Sequence, residues 1–231
     1  MPANHKITMK TETKNRLKST YSKVENMPSP TPSWNKGKSV GQRKPFTPDQ
    51  VRLIREILRA EGNLRDLALF CVAIDTMLRA SDLLKLRVSD VMEGFNGKIK
   101  SEFPVQQQKT TQPTIVALTP HSQDALVKWI RKSGKLDWDY LFTGLHKSKN
   151  RAISDSQYRK LVKTWAKLAR LDPGEYSTHS LRRTKASLIY QATNNPEVVR
   201  QLLGHASIAS TSAYLNVGKK EALEIARRID I

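Results

Sequence analysis

Residues 64–78 form an apolar run that limits the folds open to this sequence. Their hydrophobic side chains fall on most sides of a helix, whereas a surface helix shows a single apolar stripe. Such a helix is stable in water only when other elements cover it, so we predict a central buried helix with Cys71 in the core. The sequence has no stretch of about 18 apolar residues, which a membrane-spanning helix would require.

Further helices are predicted on both sides of this central one. Thr47 and Gln50 form a capping box around Pro48, a favoured first helical residue, so a helix begins there. Asn195 before Pro196 predicts another helix start for the same reasons. Helical periodicity predicts the remaining helices at residues 121–132, 154–171, 179–192, 196–203, 207–217 and 219–229.

The hydrophobic period changes between residues 90 and 120. Residues 99–108 and 113–118 alternate as short strands do, and the polar residues 109–112 between them predict a turn. The resulting β-hairpin carries Lys109 at its tip. Together these elements predict an α+β, mainly helical fold with a small β-hairpin sheet.

Positive charge is concentrated near the start of the sequence. The chain carries 40 Lys and Arg residues against 21 Asp and Glu, a net charge of +19. Residues 1–45 hold ten of the basic residues, two acidic ones and the prolines Pro28, Pro30 and Pro32. Burial does not repay the ordering of such a segment, so we predict a flexible basic arm before a globular region that starts at residue 46. A solvated tail without function is the alternative.

This charge balance favours a polyanionic partner. Nucleic acid fits better than a membrane, because no Lys- and Arg-rich helix carries an exposed face of Trp, Phe or Leu. A single cysteine excludes an internal disulfide, and the first residues lack a secretory signal, so we expect a cytoplasmic protein. We expect no metal or other cofactor, because the sequence has no second cysteine, no His-x3-His pair and no clustered acids.

Several residues have reactive side chains at informative spacings. His179 and Arg182 lie three residues apart on one predicted helix and share a face suited to an anion, while the arginine after them points elsewhere. Arg79 follows the buried helix, where a charge needs a partner or a ligand. His205 follows a glycine that ends a helix, and Tyr214 lies nine residues further along. Each of these residues alone is more often structural than functional.

The order and spacing of these residues resemble those of the tyrosine recombinase (phage integrase) family. The resemblance covers residues 46–217 and is strongest in the blocks TMLRASDLLKLRVSDV and HSLRRTKASLIYQATNNPEVVRQLLGHASIASTSAY. It implies a catalytic domain of the DNA breaking-rejoining fold, followed by a C-terminal helix at residues 218–231. Carried over to this sequence, the family's catalytic residues are Arg79, Lys109, His179, Arg182, His205 and the nucleophile Tyr214.

The match to the family leaves three positions open to question. Hairpin length varies in the family, so spacing alone also allows Lys98 or Lys100 in place of Lys109. Asp82 stands where these proteins usually carry a glutamate. Met77 replaces a common glycine, which would slightly reshape the turn before Arg79.

The chemistry of DNA strand transfer accounts for these residue types. Two planar guanidinium groups, from Arg79 and Arg182, suit the non-bridging oxygens of a phosphodiester under attack. Tyrosine has a pKa of about 10, so Tyr214 needs a base, for which His179 is available. His205 would hydrogen-bond a phosphate oxygen, and a lysine would protonate the departing 5′ oxygen. The 3′-phosphotyrosyl product conserves the bond energy, so the reaction requires neither ATP nor a metal.

The resemblance also implies partners. Double-stranded DNA would be the substrate, and a homotetramer would assemble on it, with residues 218–231 docked on a neighbouring protomer or, alternatively, on their own domain. We expect residues 1–45 to stand in for the separate DNA-clamping domain of larger members, as in small members such as the fimbrial DNA invertases. Weak intrinsic DNA affinity, help from DNA-bending accessory proteins and a location at the bacterial nucleoid would follow.

The sequence therefore predicts a site-specific recombinase, with integration, excision, inversion and dimer resolution all open. A DNA-binding accessory protein of the same fold that does not cut is one alternative. A type IB topoisomerase shares the chemistry, but the Leu203-Gly204-His205 block is more similar to integrases. A general basic protein that binds RNA would explain the charge and not the ordered residues.

Overall fold

The computed structural model describes residues 42–94, 97–108, 113–144 and 151–215. Within these ranges the helices are α1 (Pro48–Ala60), α2 (Leu64–Thr76), α3 (Ala80–Leu83), α4 (Val88–Val91), α5 (Pro120–Ser133), α6 (Asp155–Leu168), α7 (Thr178–Thr193), α8 (Pro196–Leu203) and α9 (Ile208–Leu215). The strands are β1 (Met92–Glu93), β2 (Lys98–Ile99), β3 (Glu102–Gln106) and β4 (Pro113–Ala117). The predicted α+β, mainly helical class is confirmed. Among the described helices, none has the length and apolar character needed to span a membrane.

Helix α2 is the buried centre of the domain, as the sequence predicts. Twelve of its thirteen residues are buried, Cys71 among them. Helices α1, α5 and α7 pack around it. Burial raises the pKa of the Cys71 thiol to about 11, so this side chain is neutral and serves as a small apolar residue of the core.

The predicted helix starts are confirmed where a side chain caps the backbone. Thr47 and Gln50 form the capping box of α1, and Asn195 Oδ1 accepts a hydrogen bond from Glu197 N at 2.9 Å at the start of α8. Helix ends are less regular. Helix α6 ends three residues before its predicted end, because Arg170 adopts a left-handed conformation with φ of +57° that the helix cannot continue through.

The structure divides the first predicted strand of the hairpin in two. The sequence predicts one strand over residues 99–108, but β2 pairs with β1, whereas β3 pairs antiparallel with β4. The break falls at Lys100, whose backbone N–H donates to Val91 O at 2.9 Å. Ser101 and Glu102, which follow, are both exposed, so the alternation of buried and exposed residues is interrupted at the break. The predicted turn at 109–112 lies outside the described residues.

A buried carboxylate on α2 ties three helices together. Asp75, which is 4% exposed, accepts hydrogen bonds from Thr119 and Ser122 at the start of α5 and lies 3.0 Å from Lys185 Nζ on α7. Burial alone would raise the pKa of Asp75, but the hydroxyl donors and the lysine charge together lower it. Because this network fixes α7 against α2, it also fixes the side chains that α7 presents.

Buried apolar side chains form two clusters of unequal size. The larger cluster surrounds α2, and in it Phe70 contacts Trp165 edge to face, with ring centroids 5.3 Å apart. Half-buried Tyr214 and Leu215 of α9 pack against the smaller cluster. That smaller cluster lies against α7, α8 and α9 and consists of Met77, Ala186, Val199 and Leu203. The elements around α2 therefore rest on a larger apolar core than α9 does.

Candidate active site

The turn after α2 presents Arg79. Met77 ends α2 with φ of +51°, a left-handed conformation that costs a residue other than glycine about 1–2 kcal/mol. The turn thus has the geometry that glycine adopts most readily, which accounts for the glycine common at this position in the family that the sequence resembles. Two residues later Arg79, which is half-buried, occupies the N-cap position of α3.

Arg182 is the most deeply buried of the candidate catalytic residues, with 3% of its surface exposed. Its guanidinium group donates to the carbonyl of Met77 and, at 2.8 Å, to the carbonyl of Leu203. Burial lowers the pKa of Arg182 to about 10, so the group remains charged at neutral pH. The two carbonyl contacts use only part of the five N–H donors of arginine, so the guanidinium is held in place and keeps donors for a ligand.

His179 lies on the same helix, one turn before Arg182, as the sequence predicts. Partial burial, together with the positive charges of Arg182 and Arg79, lowers the pKa of its imidazole from the ordinary 6.5. A neutral imidazole predominates at physiological pH as a result. This is the form that accepts a proton.

Arg79, His179 and Arg182 line a single cleft of about 370 Å³. Arg159 of α6 lines the same cleft and is paired with Asp155. The cleft is lined by three guanidinium groups, one imidazole and, among the described residues, one carboxylate, so it is electropositive. It is suited to bind a phosphate group.

His205 follows the end of α8 and lies beside Arg182. Its Nδ1 lies 3.0 Å from the hydroxyl of buried Thr211, and its Nε2 lies 3.5 Å from Arg182 Nη2. Thr211 therefore orients the ring so that Nε2 is on the Arg182 side. The preceding Gly204 ends the helix with φ of +62°, as the sequence predicts for a C-cap.

Tyr214 lies on α9 beside His205, with the two ring centroids 5.4 Å apart. Its hydroxyl is shielded from water and makes no hydrogen bond of good geometry within the described residues, although Arg182 lies close enough to interact with it. Burial raises the pKa of Tyr214 to about 12, and the charges of Arg182 and Arg183 oppose that rise. The hydroxyl is therefore protonated, and its reactivity depends on a base.

The hairpin lysine cannot be placed, because Lys109 lies outside the described residues. Both alternatives allowed by spacing are engaged elsewhere: Lys98 is exposed and lies 3.4 Å from Glu93, and Lys100 Nζ donates to the carbonyl oxygens of Ser89 and Asp90 at 3.1 and 3.0 Å. The choice of Lys109 as the hairpin lysine stays a prediction. Residues 1–41 and 216–231, which include most of the predicted arm and the C-terminal helix, also lie outside the described residues.

The carboxylate of Asp82 anchors the strand that leads to Lys109. Its Oδ1 accepts a hydrogen bond from the backbone N–H of Gln108 at 3.2 Å. The residue is 4% exposed, and within the described chain its Oδ2 has no hydrogen-bond partner. The shorter aspartate, in place of the usual glutamate of the resembled family, thus still reaches the backbone that follows β3.

Sequence reasoning missed two residues beside the predicted set. The Arg183 guanidinium lies 5.6 Å from the centre of the Tyr214 ring and donates to the carbonyl of Arg43 at 2.9 Å. Gln107 is buried and contacts Arg79. A polar residue at an inward-facing position of an alternating strand is the signal that points to Gln107.

Comparison with known proteins gives a consistent set of relatives. The model of the phage integrase family matches residues 44–221. A tyrosine recombinase of Pseudothermotoga lettingae is 29% identical over 182 residues, covering 79% of this chain and 59% of the relative. The tyrosine recombinase XerC of Thermodesulfovibrio yellowstonii is 28% identical over 173 residues, covering 70% of this chain and 53% of the relative. The chain thus spans less than two thirds of the length of these relatives.

Solved structures match the fold. The XerH site-specific recombinase in a pre-cleavage complex with its difH substrate superposes with a TM-score of 0.63 at 21% identity, covering 82% of this chain and 56% of that one. The crystal structure of XerA recombinase gives a TM-score of 0.63 at 23% identity, covering 81% of this chain and 66% of that one. The arrangement of helices and small antiparallel sheets is therefore that of these catalytic domains.

Proposed function

Because the chain belongs to the phage integrase family, we propose that it is a site-specific recombinase that cuts and rejoins double-stranded DNA through a 3′-phosphotyrosyl intermediate. The observation that carries this proposal is the convergence of Arg79, His179 and Arg182 on one electropositive cleft, with His205 and Tyr214 close to Arg182. A separate structural role for each residue would not explain why these side chains lie together.

DNA as the substrate is supported by charge and by kinship. The net charge of +19 favours binding to a polyanion. The relatives are named tyrosine recombinases, and one solved structure of the same fold is bound to its difH substrate. We extend this substrate class to the present chain.

The proposed cleavage step transfers a phosphoryl group from DNA to tyrosine. The Tyr214 oxygen attacks phosphorus while His179 takes the phenolic proton, and the bond from phosphorus to the 5′ oxygen breaks. Lys109 protonates that oxygen. Arg79, Arg182 and His205 bind the non-bridging oxygens, on which negative charge increases in the five-coordinate transition state. A 5′-hydroxyl of another strand then attacks the phosphotyrosine and restores Tyr214.

Cleavage requires the Tyr214 hydroxyl to become accessible to DNA. Its hydroxyl is shielded and the pKa is raised to about 12, so an approaching phosphodiester has to gain access to it. Of the eight residues of α9, Thr211 alone is buried, so this helix can shift at small cost in buried area. DNA binding would thus bring nucleophile and base together.

We extend the proposal to the parts of the chain that flank the cleft. Residues 1–45 form a basic arm that tracks phosphates, residues 46–217 form the catalytic domain, and residues 218–231 form a helix that docks on a neighbouring protomer in a DNA-bound homotetramer. DNA-bending accessory proteins assist assembly at the bacterial nucleoid. Whether integration, excision or inversion results is set by the arrangement of the recombination sites.

Covalent trapping tests the proposal. Wild-type protein and a Tyr214→Phe variant are incubated in EDTA with nicked suicide duplexes tiled from the DNA that flanks the gene, then denatured and resolved by size. We expect an adduct with the wild type that is absent with the variant. Specific binding without an adduct on any duplex would contradict the proposal and favour an accessory protein that does not cut.

A second assay separates recombination from topoisomerase activity. Supercoiled plasmid without the trapped site is incubated with the wild-type protein, and a matched plasmid with the site is the control. We expect relaxation only where the site is present. Equal relaxation of both plasmids would indicate a type IB topoisomerase.

A further inference from the structure

Gln107, directly after β3, connects Arg79 with the end of α8, which Arg182 also contacts. The side chain is 1% exposed. Its Oε1 accepts a hydrogen bond from Arg79 Nη1, and its Nε2 donates to the carbonyl of Leu203 at 3.2 Å and to Thr114 Oγ1 at 3.2 Å. One buried amide therefore reaches the turn after α2, the end of α8 and the neighbouring strand β4.

The carbonyl of Leu203 is shared between Gln107 and the second arginine. It accepts from Gln107 Nε2 at 3.2 Å and from Arg182 Nη2 at 2.8 Å. A continuous series of hydrogen bonds thus runs from Arg79 through Gln107 and this carbonyl to Arg182. The distance between the two guanidinium groups therefore depends on the Gln107 amide and the Leu203 carbonyl.

The backbone at Gly204 leaves the space that this arrangement needs. A Cβ atom at residue 204 would lie 2.8 Å from Gln107 Nε2 and 2.9 Å from Thr114 Oγ1, closer than real Cβ contacts allow. The left-handed φ of +62° favours glycine at the same position. Gly204 therefore permits both the turn that leads to His205 and the close approach of the Gln107 amide.

We propose that Gln107 is a positioning residue for DNA strand cleavage, one that orients Arg79 and fixes its separation from Arg182; this inference rests on the proposed function. The chemical type of the residue suits the task. A neutral amide accepts from a guanidinium group without cancelling its charge, whereas a carboxylate at the same place would compete with the phosphate for Arg79. Arg79 is half-buried at the N-cap of a four-residue helix, where its side chain makes no capping hydrogen bond.

The place of Gln107 in the chain adds a second consequence. It lies two residues before Lys109, the predicted proton donor, on the strand that Asp82 anchors through Gln108. Asp82 therefore restrains the backbone next to Gln107, and so helps to fix the amide that contacts Arg79.

A double-mutant cycle tests this role on a trapped DNA site. Gln107→Met keeps the length and volume of the side chain but removes both polar atoms. We expect it to slow single-turnover cleavage about 10- to 100-fold while site-DNA affinity stays within about twofold. Combined with Arg79→Ala, it should cause no further loss, because its effect passes through Arg79. Additive losses, or an unchanged rate for Gln107→Met alone, would overturn the proposal.

Two further variants guard against a simple folding defect. Gln201→Met removes an exposed amide that donates to Glu197 on α8, and its cleavage rate should match that of the wild type. Gln107→Glu keeps an acceptor for Arg79 but adds a negative charge, so it should also cleave slowly while retaining an ordered Arg79. A Gln107→Glu variant that cleaves at the wild-type rate would contradict the charge argument.

An NMR measurement tests the positioning without any DNA cleavage. In protein labelled with ¹⁵N-arginine, the Arg79 guanidinium signals, assigned with an Arg79→Lys variant, should show slow rotation in the wild type and in Gln107→Glu. Rotation should become fast in Gln107→Met. Unchanged rotation would overturn the role of Gln107 even if the wild type forms a DNA adduct, and a changed rotation without any adduct would count against the proposed function alone.

Discussion

The arginine side and the tyrosine side of the candidate site are built differently. Helix α7, which carries His179 and Arg182, has six buried residues and is tied to α2 and α5 through the Asp75 network. Helix α9, which carries Tyr214, has one buried residue and rests on the small cluster around Met77. His179 and Arg182 thus lie on a well-buried helix, whereas the proposed nucleophile Tyr214 lies on a helix with little burial to hold it. This division suits an enzyme that recognises a fixed phosphate geometry and admits its nucleophile only on the right DNA.

Arg182 is where the largest effect is expected. Arg182→Ala removes a buried charge that binds two carbonyls and, in the proposed mechanism, the phosphate. We expect single-turnover cleavage to fall about 1,000-fold, by analogy with the loss of a donor to a developing oxyanion. Arg182→Lys should lose most of this activity as well, because an ammonium group cannot replace the planar fork. Full activity of the lysine variant would show that charge alone suffices.

Substitutions of Met77 test how much the small apolar cluster beside Tyr214 contributes to stability. Met77→Ala should lower the free energy of unfolding by about 2–3 kcal/mol, because a buried side chain of the small cluster is lost. Met77→Gly should be less destabilised than Met77→Ala by about 1 kcal/mol, since glycine relieves the left-handed strain. Urea titrations measure both values. Greater stability of the alanine variant would contradict the assigned backbone strain.

The pH dependence of the free energy of unfolding tests the role of Asp75, which holds the helix of His179 and Arg182 in place. The folded-state pKa of Asp75 lies below its unfolded value, so its stabilisation is present above the unfolded pKa, about 4, and is lost as pH falls through the lower folded value. Asp75→Asn should cost about 2 kcal/mol at pH 7 and should flatten the fall in stability below about pH 4. Urea titrations from pH 7 to pH 3 measure this slope. Parallel pH curves for the variant and the wild type would contradict the role of the carboxylate.

The smallest expected effect concerns the orientation of His205. Thr211→Val preserves the shape of a buried side chain but removes the hydroxyl that contacts His205 Nδ1 at 3.0 Å. We expect cleavage to slow about tenfold, because a misdirected imidazole binds the phosphate less well. DNA affinity should be unchanged. Thr211→Ser, which keeps the hydroxyl, is the matched control and should retain most of the activity.

Local patterns in the sequence predicted most of the fold. The capping box at Thr47, the proline after Asn195 and the apolar run of α2 each involve residues close together in the chain, so their physics is visible in a short window. The break at Lys100 was missed: the polar residues 100–102 interrupt the alternation, but the pairing of the two halves with different strands is not visible in a local pattern. Its cause is a backbone contact with Val91 that no pattern encodes.

The candidate site shows the same limit. The order of the catalytic residues indicated the family, and the structure brings the described members together around Arg182. Gln107 was missed because its partner Leu203 lies 96 residues away, and Arg183 because its contact with Arg43 spans 140 residues. Hydrogen bonds between distant segments depend on how the whole domain packs, which a single sequence does not display.

The chemical identity of the DNA adduct tests the proposed cleavage by Tyr214 most directly. Wild-type protein trapped on a suicide duplex is digested with protease and nuclease, and the peptide that carries a nucleotide is sequenced by mass spectrometry. We predict a 3′-phosphonucleotide attached to Tyr214. Attachment to any other residue, or through the 5′ phosphate, would contradict the proposed mechanism.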